Sequence, residues 1–223
     1  MLSFEDLGAE NWSKYSGLIL QSELVYPETI RSAPEDFLEI LSEGDRIAKV
    51  AFTGPDYVGN VIGYCITPEE MKAYGLEGEG DRSKIAYIIN IVVAPQHQGK
   101  GYGTELLWEF IKAAKARGYE KLVGHFRQPN SLNLIKRLGA QEKGVFRNWE
   151  DTGEDYTLCC LDLQSVRVPV PVQVSVSAPV SGSLSVSLSM PDALDTSMPE
   201  LPELGGNYHL NETLHANIKQ DGQ

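Results

Sequence analysis

Between residues 101 and 117, Tyr102, Leu106, Leu107, Phe110, Ile111 and Ala114 recur at the spacing of one helical face. Lys115 and Arg117 fall in the last turn of that stretch and Gly118 follows as a stop, so the pattern predicts a helix. Residues 85–93, IAYIINIVV, are nearly all apolar, as a strand covered on both faces should be. Residues 120–126 follow as a second strand, and strand–helix–strand from 85 to 126 implies a right-handed crossover and a parallel pair. Upstream, 11–26 is expected to be a helix with Tyr15, Leu18, Leu20 and Leu24 on its inner side. Residues 33–44 predict a second helix, opened by Pro34 and closed by Gly44. Strands are expected at 46–54 and 59–67, joined by the turn GPDYVGN. A short helix at 130–139 and two final strands at 140–150 and 154–163 complete an α/β domain with a mixed sheet, an α+β arrangement.

Composition changes near residue 163. From 164 to 223 the only basic residues are Arg167 and Lys219 and the only aromatic is Tyr208, so 1–163 is expected to be the folded domain and 164–223 a low-complexity tail rich in Val, Ser and Pro. From Val166 to Met190 apolar and polar positions alternate strictly except at Gly182, while Pro169, Pro171 and Pro179 exclude a central strand. Three readings stay open: an extension without fixed structure, an edge strand that pairs with a partner or a second copy as a homodimer, and a flap over a cleft.

Lys and Arg total 19 against 31 Asp and Glu, a net charge of -12, which argues against nucleic acid as a partner and suits a cationic one. Cys65, Cys159 and Cys160 have neither disulfide-framework nor zinc spacing and read as buried thiols, so no metal is expected. The N-terminus lacks a basic-then-apolar leader and no apolar run has membrane-spanning length, so a cytoplasmic protein without membrane contact is expected.

The chemistry lies where the buried strand meets the long helix, in QHQGKGYGT (96–104). A tight turn opening a helix points free backbone N–H groups outward, and the helix dipole adds positive potential, so the place binds phosphate. Gly99, Gly101 and Gly103 let the backbone approach a ligand, and Lys100 adds charge. The P-loop pattern is absent, and the dinucleotide pattern fails because Thr104 or Leu106 stands where its last glycine belongs. What remains is Gln-x-x-Gly-x-Gly from Gln98 through Gly101 and Gly103.

Residues 89–111 with this motif resemble the acetyl-CoA loop of the GNAT superfamily of N-acetyltransferases, and the order of elements across 1–163 resembles that fold. The resemblance implies acetyl-CoA as cosubstrate, an amine acceptor as partner, and direct transfer in a ternary complex. Backbone amides of Gln98, Gly99, Lys100, Gly101, Tyr102, Gly103 and Thr104 would hold the pyrophosphate. The strand edge at Ile91, Val92 and Val93 would pair with the pantetheine arm, in a gap where 85–93 and 120–126 splay apart. The family often has a thiolate-protonating tyrosine four residues before the glycine that here is Gly139; Ile135 holds that place, which motivates the alternative of an acyl-CoA-binding or sensing module. Either Gln128 or Asn130 would meet the coenzyme. For the base, His125 on the second splayed strand is expected to titrate near neutral pH, with Tyr87 as a second candidate and His97 as a solvent-exposed neighbour. Acceptor residues are expected from ELVYPETIR (23–31), with Glu23, Tyr26 and Glu28, and from NWEDTGED (148–155), with Trp149, Glu150, Asp151, Glu154 and Asp155.

Overall fold

The structure is a computed structural model that describes residues 2–127, 130–167 and 209–211. The alternating stretch from 168 to 190, Gln128, and residues 191–208 and 212–223 lie outside the described residues. In chain order the main elements are β1 (Ser3–Asp6), α1 (Trp12–Glu23), α2 (Pro34–Ser42), β2 (Ile47–Thr53), β3 (Asp56–Cys65), α3 (Pro68–Ala73), β4 (Ile85–Val93), α4 (Tyr102–Ala116), β5 (Lys121–Arg127), α5 (Asn130–Arg137), β6 (Gln141–Phe146), β7 (Tyr156–Asp162) and β8 (His209–Asn211). They build one sheet of order β1-β2-β3-β4-β8-β5-β7-β6. β4 and β5 are parallel and touch only over Ile85–Tyr87 and Lys121–Val123; every other pairing is antiparallel. The mixed sheet with its central parallel pair is the expected one.

Each face of the sheet is covered. On one side Leu106, Leu107, Phe110, Ile111 and Ala114 of α4 are fully buried against Val61, Ile88, Ile91 and Leu122, and α5 adds Leu132 and Ile135. Each such side chain contributes about 1.5–3 kcal/mol relative to exposure, before conformational entropy is subtracted. On the other side Trp12, Tyr15 and Ile19 of α1 and Phe37, Ile40 and Leu41 of α2 pack on Val50, Ile62, Tyr87 and Ile89.

Two sequence expectations change here. The inner stripe of α1 is Trp12, Tyr15, Ile19, Ser22 and Glu23, whereas Leu18 and Leu24 are exposed. The helix is rotated so that two polar side chains face the sheet, where partners wait for them. The β2–β3 turn is tight, with Tyr57 through Asn60 already inside β3. Three elements went unread: β1, β8 and the helix α3, whose Thr67 cap accepts from Glu70 N–H while Glu70 accepts from Thr67 N–H.

One irregularity positions the site. Ile62 faces Asn90 across the β3–β4 ladder but Gly63 faces Ile88, so Ile89 is an extra residue on β4. Such a bulge re-aims the side chains that follow it.

Candidate active site

The glycine loop has the geometry its spacing implies. Gly99 and Gly101 adopt left-handed φ of 75° and 80°, and Gly101 is the residue immediately before α4. Within the loop the N–H groups of Gln98 and Thr104 are bonded to Pro95 and Gly101 carbonyls, while among the described residues no bond is assigned to those of residues 99–103. A Cβ built on Gly99 or Gly101 meets no atom within 4 Å, so the space over these donors is open. This is a cradle that fits a diphosphate. The side chain of Gln98 turns back and donates to the Val93 carbonyl at 3.0 Å, bracing the loop on β4. Lys100 donates to the Gln96 carbonyl at 3.2 Å and stays exposed. His97 corrects an expectation: it is only 9% exposed, and its Nδ1 has no partner among the described residues.

Beyond Tyr87 and Val123 the two central strands part. The freed edge of β4 is occupied by the chain itself: Asn90, Ile91 and Val92 pair with Asn211, Leu210 and His209, and Phe126 of β5 pairs with Leu210. The edge expected to take the pantetheine arm and the strand β8 therefore coincide at Ile91 and Val92. Asn130 opens α5, and Ser131 donates to the Arg127 carbonyl at 2.7 Å. Ile135 is 1% exposed in the core, so its place offers no acid to a departing thiolate.

On the α1 side of the parting strands, His125 and Tyr87 meet: imidazole Nδ1 and phenol oxygen are 3.1 Å apart. An aromatic wall encloses the pair. Trp149 lies nearly parallel to His125 with centroids 4.2 Å apart, and Phe146 meets it edge-on at 4.5 Å. Tyr74, just past α3, stacks on Tyr87 and stands edge-on to His125 at 4.6 Å. Sequence reasoning missed Tyr74, since nothing local ties residue 74 to residues 87 and 125. His125 is 1% exposed, and burial pushes its pKa well below the ordinary histidine value. The expectation of titration near neutrality is thus overturned; the imidazole is neutral at physiological pH.

The acceptor candidates divide. Tyr26 is buried and donates its hydroxyl to the Ile91 carbonyl at 3.2 Å; with Ile30, Val92, Trp149 and Tyr156 it forms a separate apolar cluster. Trp149 Nε1 and the Tyr156 hydroxyl are buried there without a partner among the described residues. Glu28 is exposed on the 3-10 turn Glu28–Ile30. In the β6–β7 turn, Glu154 is engaged by Arg127, Asp155 by Arg147, and Asp151 by Asn148 at 3.1 Å. Glu150 lacks an assigned partner among the described residues; it is held at φ 47°, and burial followed by the Asp151 charge raises its pKa. Glu23, grouped in the sequence with Tyr26 and Glu28, is instead 2% exposed beneath the loop. No helix among the described residues is long and apolar enough to cross a membrane.

Comparisons with known proteins agree with this geometry. Residues 15–140 match the model of the acetyltransferase (GNAT) family. An N-alpha-acetyltransferase of Sulfurisphaera tokodaii is 32% identical over 130 residues, 57% of this chain and 75% of that protein. In fold, NAA60 of Arabidopsis thaliana, solved in complex with acetyl-CoA, superposes with a TM-score of 0.58 at 16% identity, covering 74% of this chain and 99% of that one. The ribosomal-protein-S18-alanine N-acetyltransferase of Escherichia coli gives 0.56 at 19% identity, over 73% and 94%. With the glycine cradle on α4 and the parted strands β4 and β5, these similarities lead to one conclusion: the chain belongs to the GNAT family and is an N-acetyltransferase.

Proposed function

We propose that this protein transfers the acetyl group of acetyl-CoA to the α-amino group of a polypeptide, by direct attack within a ternary complex. The observation that carries this reading is the Tyr87–His125 pair, set where the two central strands part and walled from solvent by Tyr74, Phe146 and Trp149. The similarity to an N-alpha-acetyltransferase supports the choice of an α-amine over other primary amines.

Acetyl-CoA supplies an activated acyl group; the chain's own task is to place an uncharged amine beside it. Backbone donors of residues 99–103 hold the diphosphate, and the edge of β4 at Ile91–Val93 guides the arm toward the gap. Holding both reactants in line is worth up to about 7–11 kcal/mol in ideal cases. The ammonium proton leaves through the hydrogen-bonded Tyr87–His125 pair, whose imidazole is free of a proton charge at neutral pH. The thiolate departs without an acid, as a thiol of pKa about 8.5 allows, and takes up the second amine proton as the amide forms, since Ile135 has no proton to give. Tyr26, Trp149 and Glu150 line the approach of the acceptor, with Glu28 at the rim.

A second reading, an acyl-CoA-binding module of weak activity, rests on two observations: Ile135 in the acid's place and β8 on the coenzyme's edge. The test is CoA release from acetyl-CoA with peptides bearing a free N-terminus, with N-blocked peptides bearing a lysine, and with small amines. Turnover confined to the free N-termini is expected. Tight acetyl-CoA binding with no turnover of any amine selects the second reading.

A further inference from the structure

Glu23 and Asn90 form a buried contact that the proposed chemistry does not use. Asn90, re-aimed by the bulge at Ile89, donates its amide to Glu23 Oε1 at 2.7 Å. The other carboxylate oxygen accepts from the Ser32 N–H at 3.3 Å. The chain of bonds continues inward: Asn60 donates to Asn90 Oδ1 at 2.7 Å, and Tyr57 donates its hydroxyl to Asn60 Oδ1 at 2.6 Å. The Tyr57 and Ser22 hydroxyls are 3.2 Å apart, and Ser22 donates to the Ile19 carbonyl. Asn60, Asn90, Glu23 and Ser22 are each at most 3% exposed. The polarity of the chain is fixed from its ends. Glu23 Oε1 accepts from the Asn90 amide nitrogen, so Asn90 turns its oxygen to Asn60; Asn60 then presents its oxygen to Tyr57, which must donate.

The placement gives the contact a use. Glu23 ends α1, Ser32 ends the following loop, and between them lie Tyr26 and Glu28. One carboxylate therefore bonds the far end of the loop and the sheet beneath it at once. Other ties of the loop include Tyr26 N–H to the Glu23 carbonyl at 2.9 Å, Arg31 Nε to the Tyr26 carbonyl at 2.8 Å, and the Tyr26 hydroxyl to the Ile91 carbonyl.

We propose that Glu23 is a positioning residue that, through Asn90 and Ser32, clasps the loop of residues 24–33 to β4 and thereby sets the affinity for the acceptor but not for acetyl-CoA. This rests on the acceptor side assigned above. Cutting the clasp frees the loop that carries Tyr26, while the glycine cradle on α4 is untouched.

The test uses the full chain with Glu23→Ala, Asn90→Ala and Glu23→Gln. Gln keeps a carbonyl for Asn90 but turns an NH2, which only donates, toward the Ser32 N–H, so it cuts the loop side of the clasp alone and remains informative where Ala fails to fold. Two measurements are made: hydrogen exchange of the amides in 24–33, and KM for acetyl-CoA and for peptides beginning with Ser, Ala or Met. Expected are faster exchange in all three variants, a peptide KM raised about tenfold as for one lost buried bond, and an unchanged acetyl-CoA KM. Unchanged exchange overturns the clasp. Faster exchange with an unchanged peptide KM, or an acetyl-CoA KM raised as much as the peptide KM, overturns the positioning role. If wild-type protein acetylates none of the peptides, the proposed activity falls and so does the claim on acceptor affinity, while the exchange data separately confirm or refute the clasp.

Discussion

Burial sets a measurable pH dependence on Glu23. Desolvation lifts its pKa from 4.5 to about 7, opposed by the bonds from Asn90 and Ser32 and by the charge of Arg31. The groups packed around it are Arg31 in the loop, Asn90 on β4, Tyr57 and Asn60 on β3, and Ser22 on its own helix; Arg31 is the one cation among them. The folded pKa lies above the unfolded one, so this group's contribution to stability is full below about pH 4.5 and is lost as pH rises through about 7. The ionised form in the folded protein is disfavoured by about 3 kcal/mol relative to the unfolded chain. Glu23→Gln removes the charge and keeps the carbonyl that faces Asn90. The variant's stability minus that of wild type should therefore grow by about 2–3 kcal/mol between roughly pH 5 and pH 8. Urea unfolding followed by tryptophan fluorescence measures it; with a slope of about 2 kcal/mol per molar, the gap between midpoints widens by about 1 M. Curves for the two proteins that run parallel across this range would show that Glu23 is not desolvated, and would refute the reasoning.

Gly101→Glu places a carboxylate in the cradle at a left-handed backbone position, costing about 1–2 kcal/mol of stability while abolishing acetyl-CoA binding by calorimetry; undiminished affinity would displace the coenzyme from α4. His125→Ala should lower kcat about a hundredfold or more with acetyl-CoA affinity retained, and Tyr87→Phe should shift in the same direction, whereas equal losses of affinity would make the pair structural. Deleting residues 169–223 keeps Val166, whose carbonyl accepts from Lys115 at 2.8 Å, and removes β8. Because β8 lies along Ile91 and Val92, the shortened chain should show a severalfold lower KM for acetyl-CoA, and an unchanged KM would mean that β8 does not compete for that edge.

What the sequence made legible is what local rules encode. The inner face of α4 and the glycine turn before it are written within some twenty consecutive residues, and both are found as read. The inward face of α1 was misread because apolarity was the only guide. Ser22 and Glu23 replace Leu18 and Leu24 there, and the burial of Glu23 is made tolerable by Asn90 and the Ser32 N–H, residues no periodicity connects to α1. The same holds for Tyr74, which earns its place from four rings distant in sequence. His125 was found as a residue but misjudged as a titrating group: its position on β5 is local information, whereas its desolvation is made by Trp149, Phe146 and Tyr74.

The bulge at Ile89 joins these two long-range arrangements. Tyr87 and Asn90 are three residues apart, so on a regular strand they would face opposite sides of the sheet. The extra residue restores Asn90 to the side of Tyr87. One strand thereby presents a phenol to His125 and, one step beyond, an amide to Glu23. The Tyr87–His125 and Asn90–Glu23 contacts are thus built on one strand, and the stretch of β4 that carries Asn90 and Ile91 also faces the parting of the strands. Under the proposed function, an acceptor seated beneath that loop would be referenced to the same strand as the arm of the acyl donor, which is what a reaction governed by alignment of two bound substrates requires.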